Sequence, residues 1–352
     1  MQSEKKIELL PNIFVGFQCP TFIIAEGGIN HQGSLEIAKQ LVDVAKNSGA
    51  NCIKFQKRTI HRILTKEGLN AHYNSIHSFG LTYGEHKEKL ELSKNDWKEL
   101  KQYCDSKDFP LIASGWDEEA VDFLDSLQVP FFKIASADLT NFPLLEHTAK
   151  KNKPIILSTG MSNLEMVQKA VQYIQQWNKN IILLQCTSTY PCNMEEIHLN
   201  VLTTYQKEFP ECVIGYSGHE KGIAISLSAV VMGAKVIERH LTLDRTMKGN
   251  DHATSLEPDG FYKLVRDIRA FEKSLGSFEK TIQPSEIPIF QKLGKSIVYT
   301  TSLHKHTILQ KEHLTTKGPG KGISPMKLNE FIGKELKRDI QEDTFVLEND
   351  FV

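Results

Sequence analysis

"FIIAEGGINHQGSLEIAKQLVDVAKNSGANCIKFQ", residues 22–56, contains the unit from which the fold can be predicted. It begins with an apolar run at 22–29 and ends with a second at 52–56, and nearly continuous apolar runs are typical of parallel strands covered on both faces. Between them, Ser34 is placed to cap a helix that Gly49 would end. The apolar residues of that helix recur on one face: Leu35, Ala38, Leu41, Val42 and Ala45. The stretch therefore predicts a strand–helix–strand unit.

The same unit is repeated along the chain. A later helix-like stretch, "DEEAVDFLDSLQV", has Asp117 as its cap. The predicted strands lie at 22–29, 52–56, 110–115, 131–136, 154–160, 181–187, 212–217 and 235–241. Eight such units in about 250 residues predict a (β/α)8 TIM barrel. A doubly wound open sheet is the alternative, but it needs a glycine-rich phosphate turn after the first strand, and "GGINHQG" matches that turn poorly.

The alternation of apolar runs and helix-like stretches ends after a last predicted helix at about 257–275. We predict a TIM-barrel domain at 1–278, a proline-containing linker at 279–291 and a small β-rich domain at 292–352. Within the barrel, the connection at 57–93 is much longer than the others. Long ordered connections are usually lids or binding loops, so this one is a candidate for such a role.

Composition and charge exclude several classes of function. The formal net charge of −1 gives no electrostatic reason to expect a nucleic acid or a membrane as a partner. The start, "MQSEKKIELLPN", lacks the apolar core of a signal peptide, and no run of about 18 apolar residues occurs. The six cysteines are scattered singly, which is typical of reduced core thiols in a chain of this size. We therefore expect a cytoplasmic protein.

Polar and ionisable residues stand at the ends of nearly all the predicted strands. In a TIM barrel the catalytic groups come from the carboxyl ends of the strands, so these residues should converge. The last predicted strand, "KVIERHL", contains three ionisable residues in a row: Glu238, Arg239 and His240. Burying them costs free energy unless each is paired or has a function. We expect this trio to face a shared polar cavity.

Lys54 and Lys133 lie inside predicted buried strands. A buried ammonium group must find an anion, so ligand binding is favoured over a salt bridge within the barrel. Alternatively, Lys133 could form a Schiff base. The four serines at strand ends could each be a core hydroxyl, but together with the lysines they would make a cradle for a phosphate and a carboxylate: Ser114, Ser136, Ser158 and Ser217.

His219 and His240 end adjacent predicted strands, which would lie about 4.8 Å apart. Two imidazoles at that spacing either bind one divalent metal or are separately hydrogen-bonded. With water or ligand oxygens completing the site, Mg²⁺ or Mn²⁺ is favoured over structural zinc. Glu26 could serve as a base, as a metal partner or in orienting the substrate.

Seven segments taken together resemble the sialic acid synthase family: "FIIAEGGINHQG", "KFQK", "FFKIASADLTNFPLL", "ILSTGMS", "LLQCTSTYPC", "IGYSGHEKGIAIS" and "IERHLTLDRTMKGNDHATSLEP". The resemblance covers almost the whole chain and includes a C-terminal antifreeze-like SAF module of the β-clip type. Segments such as "TYGEHKEKLELS" resemble the animal-type enzymes. The resemblance implies condensation of phosphoenolpyruvate with N-acetylmannosamine, or with its 6-phosphate in the animal type, to give sialic acid or its 9-phosphate.

The resemblance also implies roles for individual residues. Phosphoenolpyruvate would be held by Lys54, Ser114, Lys133, Ser136, Ser158 and Ser217. The sugar would be contacted by Glu26, Gln56, Tyr190 and Asp251, and a divalent metal would be bound by His219 and His240. Asp138 occupies an acidic position of the same motif and would act in catalysis with Glu26 and the two histidines. A homodimer, in which each SAF module caps the neighbour's active site, is implied as well.

Several positions depart from the family's pattern. Gly27 replaces an apolar residue, and "ASAD" replaces a glycine-rich segment. Bacterial members reach the sugar with an arginine of the SAF module, whereas "TTKGPGKGISP" offers Lys317 and Lys321, so this contact is not carried over. A 6-phosphate could be held by cations that could equally be solvated surface charges: Arg245, Lys248, Lys292 and Lys295.

Three alternative functions follow from the same residues. The acceptor could be unphosphorylated N-acetylmannosamine. A Schiff-base sialate aldolase would use Lys133 as its nucleophile, but the two histidines and the serines argue against it. A non-enzymatic or ice-binding role of the C-terminal module is disfavoured because "LHKHTILQKEHLTTK" is rich in charge.

Overall fold

The computed structural model describes residues 5–352, which divide into two compact units. The first unit ends at Leu275 and the second begins at Gly276. The predicted linker at 279–291 contains a 3-10 turn at Pro284–Glu286 and the first part of a helix. Across the described part of the chain, no helix has both the length and the apolar character needed to cross a membrane.

The described residues of the first unit contain a hairpin and eight parallel strands. The hairpin consists of β1 (Lys6–Leu10) and β2 (Ile13–Gly16). The parallel strands are β3 (Phe22–Gly28), β4 (Cys52–Lys57), β5 (Leu111–Gly115), β6 (Phe132–Ile134), β7 (Ile155–Ser158), β8 (Ile181–Cys186), β9 (Val213–Gly218) and β10 (Val236–His240). They pair in chain order, and β10 pairs with β3 to close the barrel. The predicted TIM barrel is confirmed.

Amphipathic helices surround the barrel. They are α1 (Leu35–Asn47), α2 (Ile60–Ile63), α3 (Lys66–Asn70), α4 (Tyr83–Lys89), α5 (Lys94–Ser106), α6 (Glu118–Ser126), α7 (Phe142–Ala149), α8 (Leu164–Gln175), α9 (Val201–Glu208), α10 (Ala224–Val231) and α11 (Pro258–Ser274). Ser34 caps α1 by accepting a hydrogen bond from the N–H of Ile37 at 3.3 Å. Asp117 caps α6 in the same way, from the N–H of Ala120 at 2.8 Å. Both predicted caps are therefore present.

The long connection at 57–93 is ordered into α2, α3 and α4. Helix α4 begins with a capping box in which Thr82 and Glu85 satisfy each other's backbone N–H groups. This segment consequently holds side chains in fixed positions above β4.

The N-terminal hairpin fills the end of the barrel at which the strands begin. Ile7, Leu9, Leu10 and Val15 pack with apolar side chains from the starts of the barrel strands. This arrangement makes that end a dry core and leaves polar side chains to the carboxyl ends of the strands.

The second unit contains α12 (Ile287–Leu293) and an antiparallel pair, β11 (Ser296–Tyr299) and β12 (Leu314–Lys317). Its core includes Tyr299, whose hydroxyl donates to Asp350 at 3.0 Å, and Arg338 forms an ion pair with the same carboxylate at 2.6 Å. This small core fits a β-rich module of modest size.

Candidate active site

A cavity of about 250 Å³ opens at the carboxyl ends of the barrel strands. Among its lining residues are eleven of the thirteen predicted site residues: Glu26, Lys54, Gln56, Ser114, Lys133, Ser136, Ser158, Tyr190, Ser217, His219 and His240. Residues separated by more than 200 positions in the chain therefore meet in one place.

The register of the parallel strands explains this convergence. Glu26 on β3 lies beside His240 on β10 and beside Lys54 on β4. Two further pairings bring polar residues together: Ser114 on β5 pairs with Lys133 on β6, and Ser217 on β9 pairs with Glu238 on β10. Neighbouring strands lie about 4.8 Å apart, so each pairing brings two polar residues close together at the carboxyl end of the barrel.

Glu238 links the two buried lysines. Its Oε1 lies 3.7 Å from Lys54 Nζ and 3.6 Å from Lys133 Nζ, and it accepts a hydrogen bond from Ser217 at 3.2 Å. Burial alone would raise the pKa of Glu238, but Lys133 and Lys54 lower it to about 2. Glu238 is thus shared between two ammonium groups. A second carboxyl group, Glu26, lies 2.7 Å from Lys54, and burial raises its pKa; when Glu26 is protonated, the cavity keeps positive charge that an anionic ligand can neutralise.

The pKa values of the two lysines are shifted in opposite directions. Burial lowers the pKa of Lys133, whose ammonium donates to Ser158 Oγ at 2.7 Å. It also acts to lower the pKa of Lys54, but Glu238 and Glu26 outweigh it and raise that pKa overall. Lys54 Nζ lies 2.7 Å from Glu26 and donates to Ser114 Oγ at 3.2 Å.

Glu26 is fully enclosed, and burial raises its pKa even though Lys54 acts in the opposite direction. Its Oε1 accepts a hydrogen bond from Gln56 at 3.1 Å. Glu26 and Glu238 therefore have pKa values displaced in opposite directions within one cavity. Such a divergence is typical of sites where one carboxyl group carries a proton and the other stays ionised.

Ser136 is presented by a 3-10 turn, because β6 ends at Ile134, earlier than the sequence predicts. Its hydroxyl accepts a hydrogen bond from the N–H of Gly160 at 3.0 Å. A Cβ on Gly160 would lie 2.1 Å from Ser188 Oγ, so only glycine permits this approach. A hydroxyl group and a backbone turn thus border the cavity together.

His219 and His240 lie side by side, with ring centroids 5.3 Å apart. The carbonyl of Thr187 is 2.8 Å from His219 Nδ1 and can only accept, so Nδ1 carries the proton and Nε2 keeps a lone pair. His240 Nδ1 is buried without a hydrogen-bond partner among residues 5–352 and lies 3.7 Å from Asp251. Within the same residues, no cluster of three or more potential metal ligands is present.

Asp251 lies beside this cavity although it is not among the residues that line it. Its position is seen at Gly28, which has φ +50°. A Cβ on Gly28 would lie 3.2 Å from Glu26, 3.3 Å from Asp251 and 3.5 Å from Gln56. The space over this glycine is therefore surrounded by three polar side chains. Tyr190 borders the mouth, with its ring 4.1 Å from that of His219.

Asp138 lies elsewhere. It borders a neighbouring cavity of about 530 Å³, where its Oδ1 accepts a hydrogen bond from Asn141 at 3.0 Å. Burial raises the pKa of Asp138. The structure thus separates Asp138 from the other predicted residues, because the 3-10 turn directs Ser136 and Asp138 into different cavities.

The expectation that the whole trio at 238–240 faces the cavity is wrong for Arg239. Successive side chains of a strand point to opposite faces, so Glu238 and His240 face inward while Arg239 faces the surrounding helices. There its fully buried guanidinium lies 2.6 Å from Glu220 and donates to the hydroxyl of Ser226 at 2.8 Å.

Replacing Arg239 by methionine is expected to lower the free energy of unfolding by about 3–5 kcal/mol, because Glu220 would be left as an uncompensated buried charge. Urea denaturation followed by circular dichroism measures this. Arg266→Met is the matched control: its side chain is 53% exposed, and we expect a change within about 0.5 kcal/mol. Adding Glu220→Gln to Arg239→Met should recover part of the loss; no recovery would contradict the explanation.

Sequence reasoning assigned no role to several residues that line the cavity. Glu238 was predicted to face it but not to link the lysines. Trp116, Ser188 and Cys186 also line it, and Cys186 Sγ lies 3.9 Å from His219 Nδ1. Their positions at or just after strand ends are the signal that could have found them.

The cations proposed for a 6-phosphate are divided between the two units of the chain. The guanidinium of Arg245 donates to the carbonyl of Ala253 at 2.6 Å, and Lys248 lies over the ring of Phe79 at 4.9 Å. The other two, together with the two SAF-module lysines, belong to the second unit: Lys292, Lys295, Lys317 and Lys321.

Comparison with known proteins places the chain among related enzymes. Residues 41–280 match the NeuB family and residues 294–352 match the SAF domain. The chain is 46% identical to the N-acetylneuraminate-9-phosphate synthase of Homo sapiens over 97% of this chain and 96% of that protein. It is 39% identical to the same-named protein of Drosophila melanogaster, over 94% and 96%.

A solved structure has a similar fold. The N-acetylneuraminic acid (sialic acid) synthetase of Leptospira borgpetersenii, in complex with citrate, is 34% identical. The match has a TM-score of 0.71 and covers 82% of this chain and 95% of that one.

Proposed function

Because the chain belongs to the NeuB family and ends in an SAF domain, we propose that it is a carbon–carbon bond-forming transferase of sialic acid biosynthesis. The reaction proposed is condensation of phosphoenolpyruvate, water and N-acetylmannosamine 6-phosphate to N-acetylneuraminate 9-phosphate and phosphate. Its main support is the identity of 46% with N-acetylneuraminate-9-phosphate synthases over nearly the whole chain. The same cavity would accept unphosphorylated N-acetylmannosamine only as a second choice.

The observation that carries the donor assignment is the pair of buried lysines that share one carboxylate. Lys54 and Lys133 are each 3% exposed and reach the same oxygen of Glu238. A phosphate and a carboxylate on one small donor supply the negative charge that two ammonium groups require. Ser114 and Ser158, already hydrogen-bonded to the lysines, would complete the cradle together with Ser136 and Ser217.

The bond-forming step needs the donor's C3 carbon to meet the open-chain aldehyde of the sugar. With the donor on the lysines, the aldehyde end of the acceptor would lie toward Glu26, Gln56 and Asp251, which surround the space over Gly28. Holding both reactants in this geometry supplies much of the rate enhancement of such a reaction. Tyr190 at the mouth would cover the sugar.

Glu26 is suited to carry the proton. Because burial raises its pKa, it can deliver a proton to the aldehyde oxygen as the carbon–carbon bond forms. The resulting carboxylate can take a proton from the water that adds to C2 of the donor. Cleavage of the C2–O bond then releases phosphate and leaves the 2-keto group, with the proton of the C2 hydroxyl passing to the departing phosphate. Lys54 and Lys133 would stabilise the negative charge as it moves to the leaving phosphate.

A divalent cation fits the two histidines. His219 keeps the lone pair of Nε2, while His240 has a buried nitrogen without a partner in the described chain. Oxygen ligands from water and substrate would complete the site, which favours Mg²⁺ or Mn²⁺. Bound there, the cation would polarise the acceptor aldehyde.

Phosphate release tests this function. With phosphoenolpyruvate and N-acetylmannosamine 6-phosphate we expect steady turnover that EDTA abolishes and Mn²⁺ or Mg²⁺ restores. N-acetylmannosamine should be the poorer acceptor. Strong turnover with only the unphosphorylated sugar would overturn the acceptor assignment, and turnover unaffected by EDTA would overturn the metal.

We further propose a cytoplasmic homodimer in which each SAF domain caps the neighbour's active site. Exposed apolar side chains on α12 support an interface: Ile289 is 57% exposed, Phe290 53% and Leu293 64%. Light scattering coupled to size exclusion should give twice the chain mass; a single-chain mass at micromolar concentration would contradict the dimer.

A further inference from the structure

A second cavity adjoins the active site and carries charge that the reaction described so far does not use. Its volume is about 530 Å³, and it shares Trp116 and Ala137 as walls with the active-site cavity. Arg58, which follows β4, and Lys87, on α4, both border it. Arg62 borders it as well, so the long connection after β4 brings three cations next to the site.

Lys87 is a half-buried ammonium group without a direct ion pair in the described chain, although the carboxylates of Asp251 and Glu91 are near enough to act against the lowering of its pKa. Among residues 5–352, none forms a hydrogen bond or an ion pair with its Nζ, which lies 5.1 Å from the centre of the Tyr83 ring. Burial and the nearby charge of Arg58 lower the pKa of Lys87 to about 8. An unpaired ammonium group held in this way is energetically costly unless an anion binds to it.

Arg58 is 4% exposed and is fixed in place. Its Nη1 donates to Glu91 at 3.0 Å, and its guanidinium lies 4.8 Å from the centre of the Trp116 ring. Its Nη2 donates to Gln56, which in turn donates to Glu26. The guanidinium is thus connected directly to the residues proposed to surround the acceptor's aldehyde.

Arg58 is paired with Glu91 at 3.0 Å, whereas the carboxyl groups that border the cavity are engaged with partners other than Lys87. Both oxygens of Asp117 accept backbone N–H groups, from Thr59 at 2.7 Å and Ala120 at 2.8 Å. Glu118 lies 3.4 Å from Arg62, and burial raises the pKa of Asp138. Lys87 is consequently the cation left for a ligand, with Arg58 beside it.

The spacing of residues along β4 and just beyond it matches the two substrates, which would place one anion at each end of the reaction site. Lys54, Gln56 and Arg58 are alternate residues and follow one another outward at about 6–7 Å per pair. The first would hold the donor and the second would lie at the aldehyde. The third would then lie at the far end of an extended hexose chain.

We infer that Arg58 and Lys87 form the subsite for the phosphate monoester of the acceptor sugar. This assignment rests on the proposed function and extends it to residues that the sequence did not single out. It replaces Arg245, Lys248, Lys292 and Lys295 as the candidates for that role. A dianion between a guanidinium and an ammonium group is the arrangement that phosphate monoesters favour in proteins.

Lys87→Gln tests the subsite. The measured quantity is the ratio of kcat/KM for N-acetylmannosamine 6-phosphate to that for N-acetylmannosamine, at saturating phosphoenolpyruvate and metal. We expect this ratio to fall about 10- to 100-fold, mainly through the KM of the phosphorylated sugar, since one charge-assisted hydrogen bond is lost. Lys89→Gln, an exposed lysine on the same helix, should keep the wild-type ratio.

A chemical experiment gives a readout that does not depend on turnover. Brief acetylation near pH 8, mapped by mass spectrometry, should modify Lys87 readily. N-acetylmannosamine 6-phosphate should protect it at concentrations at which N-acetylmannosamine does not. Equal protection by both sugars would overturn the assignment.

The outcomes separate this inference from the proposed function. If the wild-type enzyme prefers the phosphorylated sugar and Lys87→Gln retains that preference, the subsite is wrong and the function stands. If Lys248→Gln abolishes the preference and Lys87→Gln does not, the phosphate binds at Lys248. If the wild-type enzyme uses only the unphosphorylated sugar, the proposed acceptor and the subsite are both wrong.

Discussion

Lys133→Met is expected to lower kcat/KM for phosphoenolpyruvate by roughly 10²- to 5 × 10³-fold, because it removes a buried cation worth about 3–5 kcal/mol to the bound anion. Methionine has nearly the shape of the lysine stem, so the packing of β6 should be kept. Glu238 retains Lys54 and Ser217 as partners, and the variant should therefore fold. Steady-state kinetics at varied phosphoenolpyruvate, with circular dichroism as the check on folding, make the measurement.

The matched control is Lys169→Met on α8, whose ammonium group is exposed and pairs with Glu165 on the helix surface. It should retain wild-type kinetics. Wild-type kcat/KM in Lys133→Met would remove the donor assignment. Treating the native enzyme with pyruvate and borohydride adds a further check, since a mass increase at Lys133 would support a Schiff-base aldolase instead.

His240→Ala is expected to lower turnover by at least about 10³-fold, because a metal that polarises a carbonyl contributes several kcal/mol to the transition state. The same variant should bind Mn²⁺ at least about 100-fold more weakly, since it lacks one of the two protein ligands that we propose. Paramagnetic resonance of free Mn²⁺ measures that binding without reference to turnover.

His304→Ala serves as the control for this variant, because the side chain of His304 is 96% exposed. It should change neither turnover nor Mn²⁺ binding. Wild-type affinity for Mn²⁺ in His240→Ala would show that the two imidazoles are merely hydrogen-bonded neighbours, which is the other interpretation of their spacing.

The barrel could be predicted because its strands are buried on both faces and so appear as continuous apolar runs. The N-terminal hairpin was missed for the opposite reason. Its strands are short and alternate between buried and exposed residues, so no run of comparable strength marks them. Strand ends were less certain: β6 stops before Ser136 because the chain turns there, and an apolar pattern does not register that turn.

Most of the candidate site could be predicted because topology brings all the strand ends to one rim. Arg239 was misplaced although alternation along a strand would have set it apart from its two neighbours. The sequence indicated the connection at 57–93 as a candidate binding loop but did not single out Arg58 and Lys87 within it. They are placed by a non-repetitive connection whose path depends on capping and tertiary contacts, so their separation in the chain carries no signal.

The hairpin at the base of the barrel has a kinetic consequence. With that end filled, the described barrel admits small molecules only from the side on which Tyr190 stands; Tyr190 is 46% exposed, whereas Lys54 and Lys133 are each 3% exposed. A sugar that arrived first would stand between the solvent and the lysines. We therefore expect an ordered mechanism in which the donor enters before the sugar and inorganic phosphate departs last, competing with phosphoenolpyruvate for the free enzyme.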